Sequence, residues 1–455
     1  MSENNNKVRK MFGTDGVRDI AGEGFMTPEA VRTLGAAFVA YQKRQGIEKP
    51  KIAIGRDTRI SGEMLENALA SGITAAGGTC VSLAVIPTPG VSYVVAKNDF
   101  DGGAVISASH NPAAYNGVKF LDASGFKLTD ADELQIEEFY ESLRLDDISE
   151  RRAELGCGGP YCVQYSDYLK RLIEDVRDRS YPLVIDAAHG AAYEYAVELF
   201  QKWNAPVHFY GVDPNGTNIN NGVGVTHMGF LTQKTVEHGA KLGIAYDGDT
   251  DRVLISDEKG RILDGDIMLW VIARWFAAEK KLGSGLVATI MSNMGLEDLL
   301  KQEDISVFRC DVGDRYVLDK MREKDSLLGG EQSGHIIALD YANTGDGLAS
   351  GILFLKALSA LGEDPSTLAD RFIRYPQTLR NLRIKDKNAV MNAPEIADIV
   401  SAAEEILAGK GRLSLRPSGT EPLIRIFVEA KDEATLKAAA DFMEKEIKAI
   451  VEDRA

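Results

Sequence analysis

The feature that most constrains the fold is a strand–loop–helix pattern that occurs three times. Each copy runs from a short apolar stretch through a small or polar loop into helical spacing: KIAIGRDTRISGEMLENALASGI from Lys51, YPLVIDAAHGAAYEYAVELFQKW from Tyr181 and GSGLVATIMSNMGLEDLLKQ from Gly283. A further strand-like run follows each copy, in TCVSLAVI, APVHFYGV and ISVFRC. This change of periodicity is typical of a β-α unit. The pattern therefore predicts three similar α/β domains with mixed sheets.

The last part of the chain has a different order. RNLRIKD, IADIVSAAEEILAGKG, RLSLRPSG, PLIRIFVEA and DEATLKAAADFMEKEIKAIVED read as β-α-β-β-α, which predicts a smaller α+β domain. Pro376 discourages a helix across the junction. Because 455 residues are too many for one core, we expect four domains, over residues 1–155, 156–256, 257–372 and 373–455.

Composition limits the class of partner. The formal net charge of −16 argues against nucleic acid or a membrane surface as a general partner. No apolar run approaches the roughly 20 residues of a membrane helix, and MSENNNKVRK lacks a hydrophobic signal core. We therefore expect a cytoplasmic protein that acts on a small molecule. Only Cys157 and Cys162 of the four cysteines are close in sequence, so neither a zinc site nor a disulfide is expected.

Three aspartates lie at alternate positions in YDGDTDRVLISD, between two strand-like runs. Alternation would place Asp247, Asp249 and Asp251 on one side of an extended segment. Three carboxylates so close repel unless a cation lies among them, and oxygen ligands suit Mg²⁺ or Ca²⁺. An EF-hand loop is excluded, although Glu258 falls at its twelfth position, because Arg252 stands where that loop needs glycine and the flanks read as strands. The alternative to a metal site is a solvated hairpin tip.

The stretch GGAVISASHNP ends a strand-like run in two serines, a histidine and an Asn-Pro pair. On its own it is a polar turn as readily as a site with a serine nucleophile. A cation bound by three acids keeps an open position for water or a phosphate oxygen. This open position favours one of the serines as a phosphate carrier.

Three more polar loops interrupt the apolar runs. GGEQSGH offers Glu331 and Ser333 to sugar hydroxyls, although a hairpin turn is as good an interpretation. RPSGTEPLIR gathers two guanidinium groups, two hydroxyls and a glycine N–H, which suit a phosphate dianion but not the Walker nucleotide loop. FGTDGVR adds a glycine-rich loop with Arg18.

Taken in order, FGTDGVR, SASHNP, DGDTDR, GGEQSGH, TGDG and RPSGTEPLIR closely resemble the motifs of the α-D-phosphohexomutase family over nearly the whole chain. The resemblance implies four domains around a central cleft, the first three being similar α/β units. It also implies an isomerase of amino sugar or carbohydrate metabolism. The form GEQSGH, with Gln332, is associated with the branch of the family that acts on glucosamine phosphates.

The resemblance assigns roles by position. It implies that Ser109 is the phosphoserine nucleophile and that its phosphate joins the three aspartates as a ligand of Mg²⁺. It implies that Glu331 and Ser333 contact sugar hydroxyls. The groups expected to hold the substrate's own phosphate are Arg416, Ser418, Gly419, Thr420 and Arg425. The groups expected around the reacting phosphoryl group are Arg18, His110, Lys119, Arg252 and His335.

The expected reaction interconverts glucosamine 6-phosphate and glucosamine 1-phosphate through phospho-Ser109 and a 1,6-bisphosphate, which also serves as activator. It would supply UDP-N-acetylglucosamine and cell-wall synthesis. The near alternative is a phosphomannomutase/phosphoglucomutase, and the remote one is a non-catalytic sugar-phosphate sensor. The sequence leaves open the sugar preference, a possible homodimer, the first phosphorylation of Ser109, the extent of domain opening, and whether Lys119 or His335 handles the proton.

Overall fold

The computed structural model describes residues 10–13, 15–144, 155–384, 386–418 and 422–453. The chain forms two compact units. Unit 1 comprises the chain up to Thr289 together with Ile305–Asp370, and unit 2 comprises Ile290–Asp304 together with the chain from Arg371 onward. Unit 1 contains three sheets and unit 2 contains one.

The first sheet has six strands in the order β1-β5-β4-β2-β3-β6. Its strands are β1 (Val17–Ile20), β2 (Lys51–Arg56), β3 (Thr79–Val85), β4 (Gly102–Ile106), β5 (Tyr115–Leu121) and β6 (Leu155–Cys157). Strand β2 is parallel to β3 and β4, and β5 runs antiparallel to β4. A short 3₁₀ helix, Gly24–Met26, follows β1.

The second and third sheets repeat the central arrangement of the first. The second has the order β11-β10-β9-β7-β8, from β7 (Leu183–Asp186), β8 (Val207–Tyr210), β9 (Leu242–Tyr246), β10 (Val253–Asp257) and β11 (Ile262–Leu263). The third has the order β13-β12-β14-β15, from β12 (Leu286–Thr289), β13 (Val307–Cys310), β14 (Leu328–Gly330) and β15 (Ile336–Ala338). In each sheet a parallel trio is followed by an antiparallel strand: β5, β10 and β15.

This repetition places three loops at equivalent positions in their sheets. The serine loop (residues 107–114) joins β4 to β5, the aspartate loop (residues 247–252) joins β9 to β10, and the glutamate loop (residues 331–335) joins β14 to β15. Each loop follows the third parallel strand and leads into the antiparallel one. The repeated β-α pattern thus positions the polar motifs as well as the cores.

Helices cover the sheets, and their bounds follow in chain order. They are α1 (Pro28–Arg44), α2 (Gly62–Ala75), α3 (Thr88–Lys97), α4 (Asp130–Ser142), α5 (Gly159–Glu174), α6 (Tyr193–Phe200), α7 (Met228–Glu237), α8 (Gly265–Ala278), α9 (Met294–Lys301), α10 (Asp314–Lys324), α11 (Gly347–Leu361), α12 (Pro365–Arg371), α13 (Lys387–Met391), α14 (Glu395–Leu407) and α15 (Glu433–Asp453). Among the residues described, no helix is both long and apolar enough to cross a membrane.

The first sheet is buried on both faces. One face packs with α1, α2 and α4 in a core where the rings of Phe38 and Phe120 stack with centroids 4.1 Å apart. The other face packs against α3 and α5 in a second core. Parallel strands buried on both faces read as continuous apolar runs, which is why β2 and β4 could be located in the sequence.

Unit 2 is built from two separate stretches of chain. The strands β16 (Gln377–Arg383), β17 (Gly411–Pro417) and β18 (Leu423–Ala430) form an antiparallel sheet in the order β16-β18-β17. The segment before α9 is hydrogen bonded into this unit: Asn293 Nδ2 donates to the Tyr375 carbonyl at 2.9 Å, and the Met294 N–H donates to Glu429 Oε1 at 2.8 Å. The fold class of three α/β domains with mixed sheets plus a C-terminal α+β domain is confirmed. In the tail the expected β-α-β-β-α order holds except for an additional short helix, α13, between β16 and α14.

Candidate active site

Ser109 is held close to the aspartate loop. Its side chain is buried, and its hydroxyl donates a hydrogen bond to Asp247 Oδ2 at 2.6 Å. Its φ of +51° lies in the left-handed region, which non-glycine residues rarely adopt. The hydroxyl of the neighbouring Ser107 already makes two hydrogen bonds within the protein: it donates to Asp57 Oδ2 at 2.5 Å and accepts the Ser109 N–H at 2.9 Å. Of these two serines, Ser109 is the one whose hydroxyl faces the aspartate loop.

The aspartate loop is a turn, so the expectation of an extended segment is wrong. The Thr250 N–H donates to the Asp247 carbonyl at 3.1 Å, and Thr250 has a φ of +65°. The Gly347 N–H holds the Thr250 carbonyl at 2.9 Å. The turn curls the chain so that one oxygen from each of the three aspartates lies within 4.8 Å of the others. The carboxylates thus converge, but by a tight turn rather than by strand alternation.

The aspartate loop has the properties of a cation site. Asp247, Asp249 and Asp251 are all buried, and burial together with the charges of Asp251 and Asp249 raises the pKa of Asp247 well above its usual range. Among the residues that the structure describes, Asp249 Oδ1 and Asp251 Oδ1 have no hydrogen-bond partner. Buried carboxylate oxygens without a hydrogen-bond partner destabilise the folded state unless a cation binds them. The residues present therefore fit a divalent cation with a preference for oxygen ligands.

A buried ionic network connects this loop to the first strands of the chain. Lys119 Nζ lies 2.8 Å from both Asp249 Oδ2 and Asp15 Oδ2. Asp15 also pairs with Arg18 and, at 2.7 Å, with Lys127, which in turn pairs with Asp314. Burial alone would lower the pKa of Lys119, but the carboxylates of Asp15 and Asp249 raise it above its usual range. Lys119 is thus a fixed cation beside the serine and aspartate loops.

His110 and Arg252 lie on the other side of Ser109. His110 Nδ1 is 3.4 Å from Ser109 Oγ and 3.2 Å from Arg252 Nη1, which is a donor only. Burial, helped by the charges of Arg252 and Arg18, lowers the pKa of His110 to about 4. At neutral pH the ring is therefore neutral. The Arg252 N–H donates to Asp247 Oδ1 at 3.1 Å, which orients that carboxylate.

The glutamate loop approaches the same region. Glu331 Oε1 accepts the Gly313 N–H at 3.0 Å, and Ser333 Oγ donates to Glu331 Oε2 at 3.1 Å. His335 is buried, with Nδ1 3.7 Å from Asp251 Oδ2 and Nε2 accepting the Gly345 N–H at 3.2 Å. Burial would lower the pKa of His335, but Asp251 and Asp314 raise it above its ordinary value. The loop is thus both a hairpin turn and an array of polar groups.

The C-terminal loop lies in unit 2, between β17 and β18. Arg416 and Arg425 are directly opposite in the register of these strands, so their side chains share one face. Arg425 Nη2 lies 3.5 Å from Ser418 Oγ, and Ser418 N–H donates to the Leu423 carbonyl at 2.9 Å. The predicted Gly419 and Thr420 lie outside the described residues.

Sequence reasoning missed several polar groups that the fold brings to this site. They are Asp15, Lys127 and Asp314 in the ionic network, and Thr88, whose hydroxyl donates to Asp249 Oδ2 at 2.7 Å. Asp15 lies within the quoted FGTDGVR, so its presence was visible but its partners were not. Thr88 begins α3 after a proline and carried no signal in the sequence.

Comparison with known proteins agrees with this architecture. Residues 9–146, 163–260 and 264–375 match the alpha/beta/alpha domains I, II and III of the phosphoglucomutase/phosphomannomutase family, and residues 379–446 match its C-terminal domain. The chain belongs to this family of phosphohexomutases, which makes it an isomerase. Within the family it is similar to the phosphoglucosamine mutase of Paracoccus denitrificans, with 44% identity over 440 residues that cover 95% of this chain and 97% of that protein.

Solved structures show the same fold. A phosphoglucomutase/phosphomannomutase family protein from Burkholderia thailandensis has a TM-score of 0.81 and 24% identity, with coverage of 96% of this chain and 97% of that one. The Aspergillus fumigatus N-acetylphosphoglucosamine mutase, in complex with GlcNAc-6P and magnesium, has a TM-score of 0.65 and 17% identity, with coverage of 98% and 96%. At these identities the likeness concerns the fold alone.

Proposed function

We propose that the chain interconverts glucosamine 6-phosphate and glucosamine 1-phosphate. The observation that carries the proposal is the Ser109 hydroxyl, 2.6 Å from a carboxylate of the buried aspartate loop. Its substrate class follows from the 44% identity to a phosphoglucosamine mutase. The predicted residue roles are part of this proposal.

Asp247, Asp249 and Asp251 are the residues that would hold Mg²⁺, the metal in the Aspergillus complex. The ion supplies charge neutralisation for the phosphoryl group when it is bound. The chain's own cations Lys119 and Arg252, which lie beside the loop, would supply further positive charge. Positioning and charge stabilisation are the main contributions a protein makes to phosphoryl transfer.

The proposed reaction has two transfers. In the first, the 1-hydroxyl of glucosamine 6-phosphate attacks phospho-Ser109: a new O–P bond forms at O1, the Ser109 Oγ–P bond breaks, and Oγ takes up a proton. Lys119 and His335 are the two candidates for general acid–base work. Because Lys119 is charged at rest, it would act by donating the proton that Oγ takes up and would then be reprotonated by the proton of the attacking hydroxyl. In the second transfer, the bisphosphate has turned end for end and Ser109 Oγ attacks its 6-phosphate: the Oγ–P bond forms again, the O6–P bond breaks, the proton of the Ser109 hydroxyl passes to O6 through the same group, and glucosamine 1-phosphate leaves.

Two loops would hold the substrate through this reaction. Glu331 and Ser333 present a carboxylate and a hydroxyl to sugar hydroxyls. Arg416, Ser418 and Arg425, with Gly419 and Thr420 beside them in the sequence, would bind the phosphate that is not reacting. Arg416 and Arg425 lie opposite each other in the register, which puts two guanidinium groups on one face of the sheet, and paired guanidinium groups suit a phosphate dianion.

The direct test is a coupled assay with Mg²⁺ and a catalytic amount of glucose 1,6-bisphosphate, in which glucosamine, mannose and glucose 6-phosphates compete. We expect the highest kcat/KM with glucosamine 6-phosphate. A preference for mannose or glucose would assign the chain to the phosphomannomutase/phosphoglucomutase alternative and leave the mechanism intact. Absence of turnover with every sugar, alongside tight binding, would favour a sugar-phosphate sensor.

The mechanism itself is tested by Ser109→Ala. Loss of a covalent nucleophile lowers turnover by about 10⁴-fold or more. Intact mass after incubation with bisphosphate should gain one phosphoryl group in the wild type and none in the variant. Ser124→Ala, at an exposed loop serine, is the matched control and should behave as the wild type. Near-normal turnover by Ser109→Ala would rule out the proposed mechanism.

A further inference from the structure

The backbone of the serine loop is held by two side chains that have no part in the proposed chemistry. Arg59 follows β2 in the motif GRDTR, and Asn220 lies in the long connection between β8 and α7. Both side chains are buried, at 1% and 5% exposure. Buried arginine is rare in proteins and is retained where its donors are used.

Arg59 spreads its donors over the whole serine loop. Its Nη2 donates to the carbonyls of Ser109 at 3.0 Å and Asn111 at 2.8 Å, and its Nη1 donates to the carbonyls of Pro112 and, at 2.9 Å, Tyr115. One guanidinium group thus holds four backbone carbonyls between the ends of β4 and β5. The planar fork of arginine fixes the directions of all these bonds together.

Asn220 repeats two of these contacts from the second sheet's side of unit 1. Its Nδ2 donates to the Ser109 carbonyl at 2.9 Å and to the Asn111 carbonyl at 3.1 Å. Asn220 itself has a φ of +58°, a conformation that asparagine tolerates better than most residues. The Ser109 carbonyl therefore has two donors from two different parts of the fold.

The amide side of Ser109 is fixed by the same assembly. Asp57 accepts the Arg59 Nε at 2.9 Å and the Ser107 hydroxyl at 2.5 Å. That hydroxyl in turn accepts the Ser109 N–H at 2.9 Å. The charge of Arg59 is thereby neutralised at Asp57, so that the pair can be buried.

We propose that Arg59 and Asn220 are positioning residues that hold Ser109 in its left-handed conformation through its backbone, with or without a phosphoryl group on Oγ. The donors bind the carbonyl and leave the side chain free, so phosphorylation removes none of these contacts. The Oγ atom stays aimed at the aspartate loop through both transfers. The role rests on the proposed function, because it supports the nucleophile assigned there.

Asn220→Gly is the sharpest test, because glycine accepts a φ of +58° and loses only the two donated hydrogen bonds. We expect kcat to fall about tenfold or more, with KM within threefold of the wild type, as misplacement of a reacting group produces. The rate of phosphoryl transfer from glucose 1,6-bisphosphate to Ser109, followed by quenched-flow intact mass, should fall by the same factor. Asn218→Ala is the matched control, since Asn218 is bonded within its own loop, where its Nδ2 donates to the Asp213 carbonyl and its Oδ1 accepts the Asn215 N–H.

Arg59→Lys is the second variant, which keeps the positive charge but replaces the planar guanidinium group with an ammonium group. We expect a larger fall in kcat than for Asn220→Gly, and a double variant that loses less than the product of the two, because both donors act on the same carbonyls. The proposal is overturned if Asn220→Gly loses no more kcat than Asn218→Ala, or if its loss is entirely in KM. An inactive wild type would instead contradict the proposed function, and the two failures are therefore distinguishable.

Discussion

The serine loop and the aspartate loop occupy equivalent places in their sheets but differ in how their buried polar groups are hydrogen bonded. Each contains a left-handed residue, Ser109 in one and Thr250 in the other. In the serine loop the polar groups around Ser109 are bonded within the protein, through Arg59, Asn220 and Ser107. In the aspartate loop two buried carboxylate oxygens have no hydrogen-bond partner among the described residues.

Under the proposed function, this difference corresponds to two tasks within one repeated architecture. A loop that carries a covalent group through the reaction needs a fixed backbone, and its bonds are all supplied by the chain. A loop that receives a cation needs ligands that stay unsatisfied until the ion arrives. Similar strand arrangements thus support different sites, because the loops carry different residues.

Among the tests of how these two loops differ, the largest effect is expected at Asp247, where the loops touch. Asp247→Asn keeps the shape but removes a charge from the cation site, and we expect kcat to fall about a thousandfold. Mg²⁺ should raise the Tm of the wild type but not of the variant, because only the wild type gains binding free energy in the folded state. The control is Glu258→Gln, which changes the acidic residue that an EF-hand loop would use at its twelfth position. An equal fall in kcat for this variant would contradict a cation site at the aspartate loop.

The closeness of the loops is tested at Gly248. A Cβ at this position would lie 2.6 Å from the Ser109 carbonyl oxygen and 2.9 Å from Asn220 Nδ2. Gly248→Ala should therefore push the serine loop away and lower kcat about a hundredfold. Gly229→Ala, where an added Cβ meets nothing within 4 Å, is the control and should leave kcat unchanged. Unchanged kinetics for Gly248→Ala would show that the loops are not in tight contact.

The smallest effect concerns the support behind the aspartate loop. Asp346 caps α11 by accepting the Ala349 N–H at 2.9 Å, next to the Gly347 N–H that holds Thr250. Burial raises the pKa of Asp346 to about 6 from 3.8. Because the folded state binds this proton more tightly, the contribution of Asp346 to stability is full below pH 3.8 and is lost as the pH rises through 6.

Asp346→Asn should remove this dependence while keeping the cap, since asparagine also caps helices. Denaturant unfolding gives the free energy of unfolding of both proteins at pH 4 and pH 7. We expect the value for the variant minus that for the wild type to be about 2 kcal/mol larger at pH 7 than at pH 4. An unchanged difference between the two proteins would mean that Asp346 does not titrate in this range.

Much of the fold was predictable because local patterns suffice for it. The runs that became β2, β7 and β12 are buried on both faces and read directly as strands. Ser109 and the three aspartates were recognisable because their motifs are contiguous in sequence. The positions of the predicted domain limits stay a prediction.

The rest depends on contacts between distant residues. Arg59 and Asn220 are 161 positions apart and meet at one carbonyl, which no local pattern indicates. The curl of the aspartate loop was missed because alternation suggested a strand, whereas the left-handed Thr250 and the bond to its carbonyl from Gly347 determine a turn. Asp15 precedes β1 and Lys127 follows β5, and these strands are neighbours in the sheet, so the pair joins segments that are distant in the sequence.

The two-part construction of unit 2 has a consequence for synthesis on the ribosome. Residues 290–304 leave the ribosome well before the strands they bond to, so Asn293 and Met294 must wait for Tyr375 and Glu429. A chain shortened at residue 370 would keep that segment without its hydrogen-bond partners Tyr375 and Glu429.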